Sequence, residues 1–248
     1  MIDAVFISDL HLHPDEATIT ERFQRFIQWA STHTRAVYIL GDFFHVWPGD
    51  DALDAWSSSI IHQLAGLSQQ GVALYFMPGN RDFLLGHAFA ALAGITMLKE
   101  PSIIRLGDER VLLVHGDRYC TADRGHQWLR RLTRNRVFPR AFMCFPLAFR
   151  ERLVNTVRTR SQSNRTKPPL QMDVVVTTVL NHMRTLGVHI LVHGHTHKPG
   201  LTTYVHHGVT YRRYVLSDWD DNPLLMCYDK ANGFYFDRLP ENENGYRR

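Results

Sequence analysis

Five short apolar runs in this 248-residue chain stop at the same kind of polar residue, and that repetition constrains the fold more than any other feature. Ala4-Val5-Phe6-Ile7 leads into Ser8-Asp9-Leu10-His11, and Val37-Tyr38-Ile39-Leu40 into Gly41-Asp42. Leu74-Tyr75-Phe76-Met77 leads into Pro78-Gly79-Asn80-Arg81, and Val111-Leu112-Leu113-Val114 into His115-Gly116-Asp117. Ile190-Leu191-Val192 leads into His193-Gly194-His195-Thr196-His197. Continuous runs of this length and composition read as strands buried on both faces. Between them Ile19, Phe23, Phe26, Ile27 and Ala30 recur at helical spacing. So do Met172, Val175, Val176, Val179, Leu180, Met183 and Leu186, with Asp173 near the helix start. The alternation predicts a layered α/β sheet. Farther on, 201–206, 209–215 and 224–228 read as a run of antiparallel strands.

Composition removes several alternatives. Apolar residues make up 44% of the chain, with 16 Gly and 11 Pro, so collagen-like and disordered classes are out. The longest apolar stretch, 137–149, is broken by Arg140 and two prolines, and falls short of the roughly 18 residues a membrane span needs. Met1-Ile2-Asp3-Ala4 lacks the basic and apolar regions of a secretory signal, so a cytosolic address is expected, with attachment to a membrane surface left open. Three cysteines without a CxxC argue against a disulfide framework or a zinc knuckle.

One segment differs from the rest. Residues 123–167 hold twelve Lys/Arg and two acids, a net +10, whereas the whole chain is +4, so the remainder carries −6. Trp128, Leu129, Phe138, Phe142, Met143, Phe145, Leu147, Phe149 and Leu153 lie among these charges. The pattern predicts two or three basic amphipathic helices forming an insertion at 122–168 within a single domain of residues 1–248.

The strand ends themselves carry metal-ligand chemistry: Asp9 and His11, Asp42, Asn80, His115, then His195 and His197. Ligands of α/β sheets bind outside the carboxyl ends of strands. Asp-x-His and His-x-His can put both side chains on one side. Seven donors exceed what one tetrahedral ion takes and suit two ions with Asp42 as the bridge. Nitrogen and oxygen donors without thiolate suit Mn²⁺, Fe²⁺ or Zn²⁺ alike. Arg81, beside Asn80, suits stabilisation of developing negative charge. Asp82 and Asp117 suit the support of turns or ligand imidazoles.

Asp9-x-His11, Gly41-Asp42, Gly79-Asn80-Arg81-Asp82, His115-Gly116-Asp117 and Gly194-His195-Thr196-His197 together resemble the five blocks of the calcineurin-like metallophosphoesterases. The resemblance implies a β-sandwich flanked by helices around a dinuclear metal centre. One ion would take Asp9, His11, Asp42 and His197, and the other Asp42, Asn80, His115 and His195. It also implies hydrolysis by a metal-activated hydroxide, with Asp42, Asn80, Arg81, His115 and His195 as the catalytic set.

Gly41-Asp42-Phe43-Phe44-His45-Val46-Trp47-x-Gly49-Asp50-Asp51, His115-Gly116-Asp117-x-x-Cys120-Thr121-x-Asp123 and His193-Gly194-His195-Thr196-His197-x-Pro199 narrow the likeness. They resemble the UDP-2,3-diacylglucosamine pyrophosphohydrolase family of lipid A biosynthesis, with His45 where that family carries an acid. This resemblance implies cleavage of the substrate's pyrophosphate to UMP and the acylated sugar 1-phosphate, with Mn²⁺ as the usual cofactor. Substrate contacts would come from Asn80, Arg81, Asp123, Ser161, Asn164, Lys167 and His195, with Ser163 competing with Ser161. A monomer bound peripherally to the cytoplasmic face of the inner membrane is expected, with the insertion's apolar residues receiving the acyl chains. Arg130, Arg131, Arg134 and Arg136 are expected to dock anionic lipid, so that reversing their charge leaves turnover of dispersed substrate largely intact. No nucleic-acid partner is expected. The rival readings are a nuclease or nucleotide phosphodiesterase whose +10 segment tracks a nucleic-acid backbone, and a non-catalytic scaffold.

Overall fold

A computed structural model describes residues 1–135, 137–163 and 173–240, with 157–163 described as helical backbone only. The first half alternates strand and helix: β1 (Ala4–Ile7), α1 (Ala17–His33), β2 (Ala36–Ile39), α2 (Ala55–Gln69), β3 (Ala73–Phe76), α3 (His87–Ala93) and β4 (Ile95–Met97). A hairpin of β5 (Ser102–Leu106) and β6 (Glu109–Leu113) follows, then a 3-10 turn at Asp117–Tyr119. Three helices occupy the basic segment: α4 (Arg124–Thr133), α5 (Phe138–Met143) and α6 (Leu147–Ser163). The chain continues through α7 (Val176–Thr185), β7 (Ile190–His193), β8 (Gly200–His206), β9 (Val209–Val215), β10 (Leu224–Asp229) and β11 (Gly233–Arg238).

These strands form two sheets rather than one layered sheet. One has the order β11-β10-β1-β2-β3-β4, the other β5-β6-β7-β9-β8. Strands β1 to β4 run parallel, as do β6, β7 and β9. Period-two alternation explains the layers. Val5, Ile7, Val37, Ile39, Leu74 and Phe76 pack with Phe23 and Phe26 of α1, Ile60 and Leu64 of α2 and Phe89 of α3. Their neighbours Ala4, Phe6 and Tyr38 point the other way and meet Val111, Leu113, Ile190 and Val192 of the second sheet. On that sheet's far face Leu112 and Leu191 pack with Val179 and Met183 of α7. The result is a sandwich with helices outside, the α/β class that the resemblance implies.

The C-terminal strands correct the single antiparallel run. β8 and β9 form a hairpin, but β9 also pairs parallel with β7 in the second sheet. β10 crosses to the first sheet, between β1 and β11. The α7 helix starts later than its periodicity suggests: Val175 is its N-cap, and Met172 lies outside the described residues. Asp173 instead accepts from the Val174 N–H at 2.7 Å and pairs with Lys198.

The helices α4–α6 are bolted to the sandwich by buried charge. Arg150 of α6 is 1% exposed; it ion-pairs with Asp51 and donates from Nη1 to the Pro48 carbonyl at 2.6 Å. Its Nε also donates to the Phe145 carbonyl at 2.9 Å. Among the described residues no helix is long and apolar enough to cross a membrane.

Candidate metal centre

The carboxyl ends of β1, β2, β3, β6 and β7 converge, and the backbone there leaves regular strand geometry at the residues of interest. Asp9, His11, Asp42, His195 and His197 all have left-handed φ values, between 51° and 71°. His207, in the β8–β9 turn, is the remaining described non-glycine residue with positive φ. Such conformations cost on the order of 1 kcal/mol or more each and persist where the surroundings over-determine them. Here they are over-determined. Asp9 Oδ2 accepts from Ser8 Oγ at 2.5 Å and from the His195 N–H at 2.8 Å. Asp42 Oδ1 accepts from the Arg81 N–H at 2.9 Å. Buried Asp82 accepts backbone N–H groups of Gly79 at 2.6 Å and Phe43 at 2.7 Å, which ties the second and third strand ends together. A Cβ on Gly79 would strike the Asp42 carboxylate and backbone, and one on Gly194 would strike Ser8 and Asp9. Close approach, rather than a turn, requires glycine at both positions.

Two donor groups result. Asp9, His11 and His197 form one, and Asp42, His115 and His195 the other, with the ligand atoms of each group within 4.8 Å of one another. Asp42 stands between them: Oδ2 is 3.4 Å from His11 Nε2 and Oδ1 is 3.6 Å from His115 Nε2. Asn80 Oδ1 lies 2.9 Å from His115 Nε2. His115 Nδ1 lies 2.8 Å from the Leu40 carbonyl, so it carries the proton and donates there. That leaves Nε2 facing the cluster. His197 Nε2 is 3.5 Å from Asp9 Oδ1, and its Nδ1 is 3.2 Å from Asp218 Oδ2, which orients the ring. Arg81 Nε is 3.3 Å from Asp42 Oδ2, with the guanidinium one-third exposed at the mouth of the site. All seven sequence-nominated donors and Arg81 are therefore brought together.

The electrostatics fit a divalent pair. Asp9, Asp42 and His115 are each at most 2% exposed, and Asp9 Oδ1 is buried without a hydrogen bond. Burial pushes the Asp9 carboxyl up, but His197 and His115 outweigh it and hold it at about 2. Burial likewise opposes ionisation of Asp42, but His115, His11 and Arg81 keep its carboxyl well below the usual range. Burial pushes the His115 imidazole down, yet the charges of Asp42, Asp9 and Asp117 carry it up to about 9. Burial and the His115 charge hold His195 at about 4. Ionised carboxylates and imidazole nitrogens packed this densely are what a hard or borderline cation neutralises.

Asp117, nominated from the sequence, keeps partners that sequence reasoning does not supply, and Glu100, His126 and Asp218 escape it altogether. Asp117 is fully buried, with Oδ1 3.1 Å from Arg130 Nε and Oδ2 4.0 Å from both Arg134 Nη2 and His126 Nε2. Glu100 accepts from the His115 N–H at 3.1 Å and from Arg130 Nη2 at 2.8 Å. Asp117 thus holds the arginines of α4 rather than a ligand ring. Arg134 also donates to the Pro78 carbonyl at 2.9 Å. Arg130 and Arg134 consequently face the centre and not a lipid surface, because a buried carboxylate pair offers them stronger partners than water does; Arg136 lies outside the described residues. Asp218 could have been found by extending the strand-end rule to β9. Nothing local distinguishes Glu100, His126 or Arg130.

Asp123 caps α4, accepting from the His126 N–H at 3.0 Å. Ser161, Asn164 and Lys167 fall outside the residues whose side chains are described. Phe142 does not face a groove. It is buried, stacked on Phe138, and belongs to the core beneath α5, while Met143, Phe145 and Phe149 are exposed.

A family profile described as calcineurin-like phosphoesterase matches residues 3–199. A Pseudomonas putida (strain W619) protein named UDP-2,3-diacylglucosamine hydrolase is 43% identical over 231 residues, covering 93% of this chain and 96% of the relative. Relatives of the same name from Pseudomonas entomophila (strain L48) and Aeromonas hydrophila are 45% and 40% identical, each covering 91% of this chain and 95% of the relative. Among solved structures, one described as a novel archaeal phosphodiesterase superimposes with a TM-score of 0.51 at 10% identity, covering 95% of this chain and 98% of the other. At that identity it bears on the fold alone.

Proposed function

The chain belongs to the calcineurin-like phosphoesterase family, and on that premise we propose that it hydrolyses the pyrophosphate bond of UDP-2,3-diacylglucosamine, releasing UMP and 2,3-diacylglucosamine 1-phosphate. The observation that carries this reading is identity of 40–45% over almost the whole length of both chains to hydrolases of that name. The match covers 91–93% of this chain, far more than the metal blocks alone, which supports carrying over the substrate as well as the chemistry.

In this reading Asp9, His11, Asp42 and His197 hold one divalent ion, and Asp42, Asn80, His115 and His195 hold the other. The ions would supply Lewis acidity, polarising phosphoryl oxygens and acidifying water. The chain's own groups do the rest. Arg81 offers its guanidinium to phosphoryl oxygens from the mouth of the site. Asn80 and His195 face substrate as well as metal. Asp82 and Asp218 keep the ligand loops and the His197 ring in place. Mn²⁺ is the ion of choice within the set that the donors allow.

Helices α4–α6 form the roof for the acylated sugar, with Asp123, Ser161, Asn164 and Lys167 as its headgroup contacts. Trp128, Val137, Phe145 and Phe149 are exposed on this roof beside exposed Arg124, Arg131, Arg140 and Arg152. That mixture suits insertion among acyl chains under anionic headgroups, and the family resemblance implies that the surface is the cytoplasmic face of the inner membrane. Every ligand comes from one chain, so a monomer suffices.

The test is direct. Purified protein with Mn²⁺ is incubated with UDP-2,3-diacylglucosamine, UDP-glucose and DNA. UMP released from the acylated substrate alone is the expected result. Cleavage of DNA, or of none of the three, contradicts the reading.

A further inference from the structure

Helix α4 delivers to the metal centre one side chain that belongs to neither donor group: His126. Its ring centroid is 5.4 Å from that of His195, and the rings are tilted by 37°. His195 in turn is 5.1 Å from His115. The imidazole therefore sits in the next layer above the ligands, on the side of Asp42, His115 and His195 rather than of Asp9 and His197.

The backbone holding His126 is tied down in several places. Its N–H donates to Asp123 Oδ1 at 3.0 Å. The adjacent Gln127 donates from Nε2 to the carbonyls of Asp117, at 2.8 Å, and Cys120, at 3.1 Å. One turn on, Arg130 is clamped between Asp117 and Glu100. A helix pinned at this many points does not swing its first turn away. Yet His126 Nε2 is buried and makes no hydrogen bond. The Asp117 carboxylate is 4.0 Å away, beyond hydrogen-bond reach. Buried polar atoms are nearly always paired, and one left unpaired beside a reactive cluster calls for a partner that the chain itself does not supply. The nearest acceptor, Asp117 Oδ2, is itself unpaired at 4.0 Å; with the ring proton on Nε2, a closer acceptor is one that the chemistry of the centre brings, an anionic phosphoryl oxygen.

We propose that His126 is a substrate-contacting catalytic residue whose Nε2–H donates a hydrogen bond to a non-bridging oxygen of the substrate diphosphate. This rests on the pyrophosphohydrolase reading above. A donor fixed in a buried position stabilises charge that builds on phosphoryl oxygens without having to reorganise. It also couples the roof to the reaction, since the residue that senses the diphosphate is one turn from Asp123, which faces the acylated sugar.

The experiment compares H126F, which keeps a ring and removes the donor, with H126Q, which keeps an N–H donor of similar reach. Both are purified with Mn²⁺. For each, kcat and KM with UDP-2,3-diacylglucosamine, bound Mn²⁺ by elemental analysis and the melting temperature are measured. A fall of about 10–100-fold in kcat for H126F is expected, with metal content and melting temperature unchanged and most of the rate restored in H126Q. Wild-type turnover by H126F overturns the proposal, and so does loss of Mn²⁺ in step with loss of rate, which assigns the residue to metal retention. If wild-type protein leaves UDP-2,3-diacylglucosamine uncut, the substrate reading fails separately. The same variants are then compared on bis(4-nitrophenyl) phosphate, where a tenfold or larger deficit in H126F upholds the donor and equal rates dismiss it.

Discussion

The strand-end loops and the α4–α6 roof meet at the same centre but are held in opposite ways. In the loops, left-handed backbone at Asp9, Asp42 and His195 is locked by backbone N–H bonds to the two carboxylates, and that at His11 by its N–H bond to the Asp42 carbonyl. In the roof, the helices leave Trp128 66% exposed, and the main anchors are arginine side chains paired with carboxylates: Arg130 with Glu100 and Arg150 with Asp51. Loops locked by direct hydrogen bonds between strand ends suit ligands that must be placed to a fraction of an ångström. A roof hung from a few ion pairs can present an apolar outer face and still be registered over the centre. Charge in the roof therefore has two uses, and sequence position does not say which arginine has which.

The contrast is broken most severely from below. Asp42→Ala removes the residue between both donor groups and should lower turnover at least about 1000-fold, with loss of bound Mn²⁺; near-normal UMP release would refute its placement. Gly79→Ala drives a methyl group into Asp42 without removing any donor. A loss of about 100-fold in activity and weakened Mn²⁺ retention are expected, and both are read by titrating the metal into stripped protein.

From above, Arg130→Ala leaves Glu100 buried without its cation and Asp117 with only Arg134, 4.0 Å away. Removing one partner of a buried pair typically costs about 3–5 kcal/mol. A melting temperature lowered by roughly 10 °C and a reduced kcat are expected, even on detergent-dispersed substrate. Unchanged turnover would return Arg130 to the lipid-facing set. For the outer face, F145S with F149S should reduce vesicle cosedimentation several-fold and change dispersed-substrate turnover less than twofold. Equal cosedimentation would count against surface docking.

The smallest effect concerns protons. In metal-stripped protein His115 is raised from 6.5 to about 9 by the neighbouring carboxylates. A raised folded-state value contributes stability that is complete below the unfolded value and is lost as pH climbs through the folded one. Stripped protein should therefore lose on the order of 2–3 kcal/mol between pH 6.5 and pH 9. Mn²⁺ replaces the proton and should abolish that slope. Melting curves with and without chelator measure both, and parallel curves would dismiss the coupling.

These differences also explain what a reader of the sequence can see. The metal donors are legible because each lies within five residues of the end of an apolar run, so strand, turn and ligand form one local pattern. The helix-flanked layers follow from periodicity. Two sheets in place of one come from the family resemblance and not from periodicity, since whether β6 pairs with β3 or starts a new sheet depends on packing between Phe6, Tyr38, Leu113 and Val192 across the sandwich. The inward turn of Arg130 and Arg134 is hidden for the same reason. Their partners Asp117, Glu100 and Pro78 belong to other elements, and no spacing along α4 distinguishes them from Arg131, which is exposed. His126 looks like one histidine among fifteen until the fold sets it over His195.

Counting ions is the most direct check on a base that joins seven side chains into two sites. Equilibrium dialysis of wild-type protein against Mn²⁺, followed by elemental analysis, should give two ions per chain, and His197→Ala should give one. A single ion in wild-type protein, or none at concentrations that support turnover, would contradict the paired site.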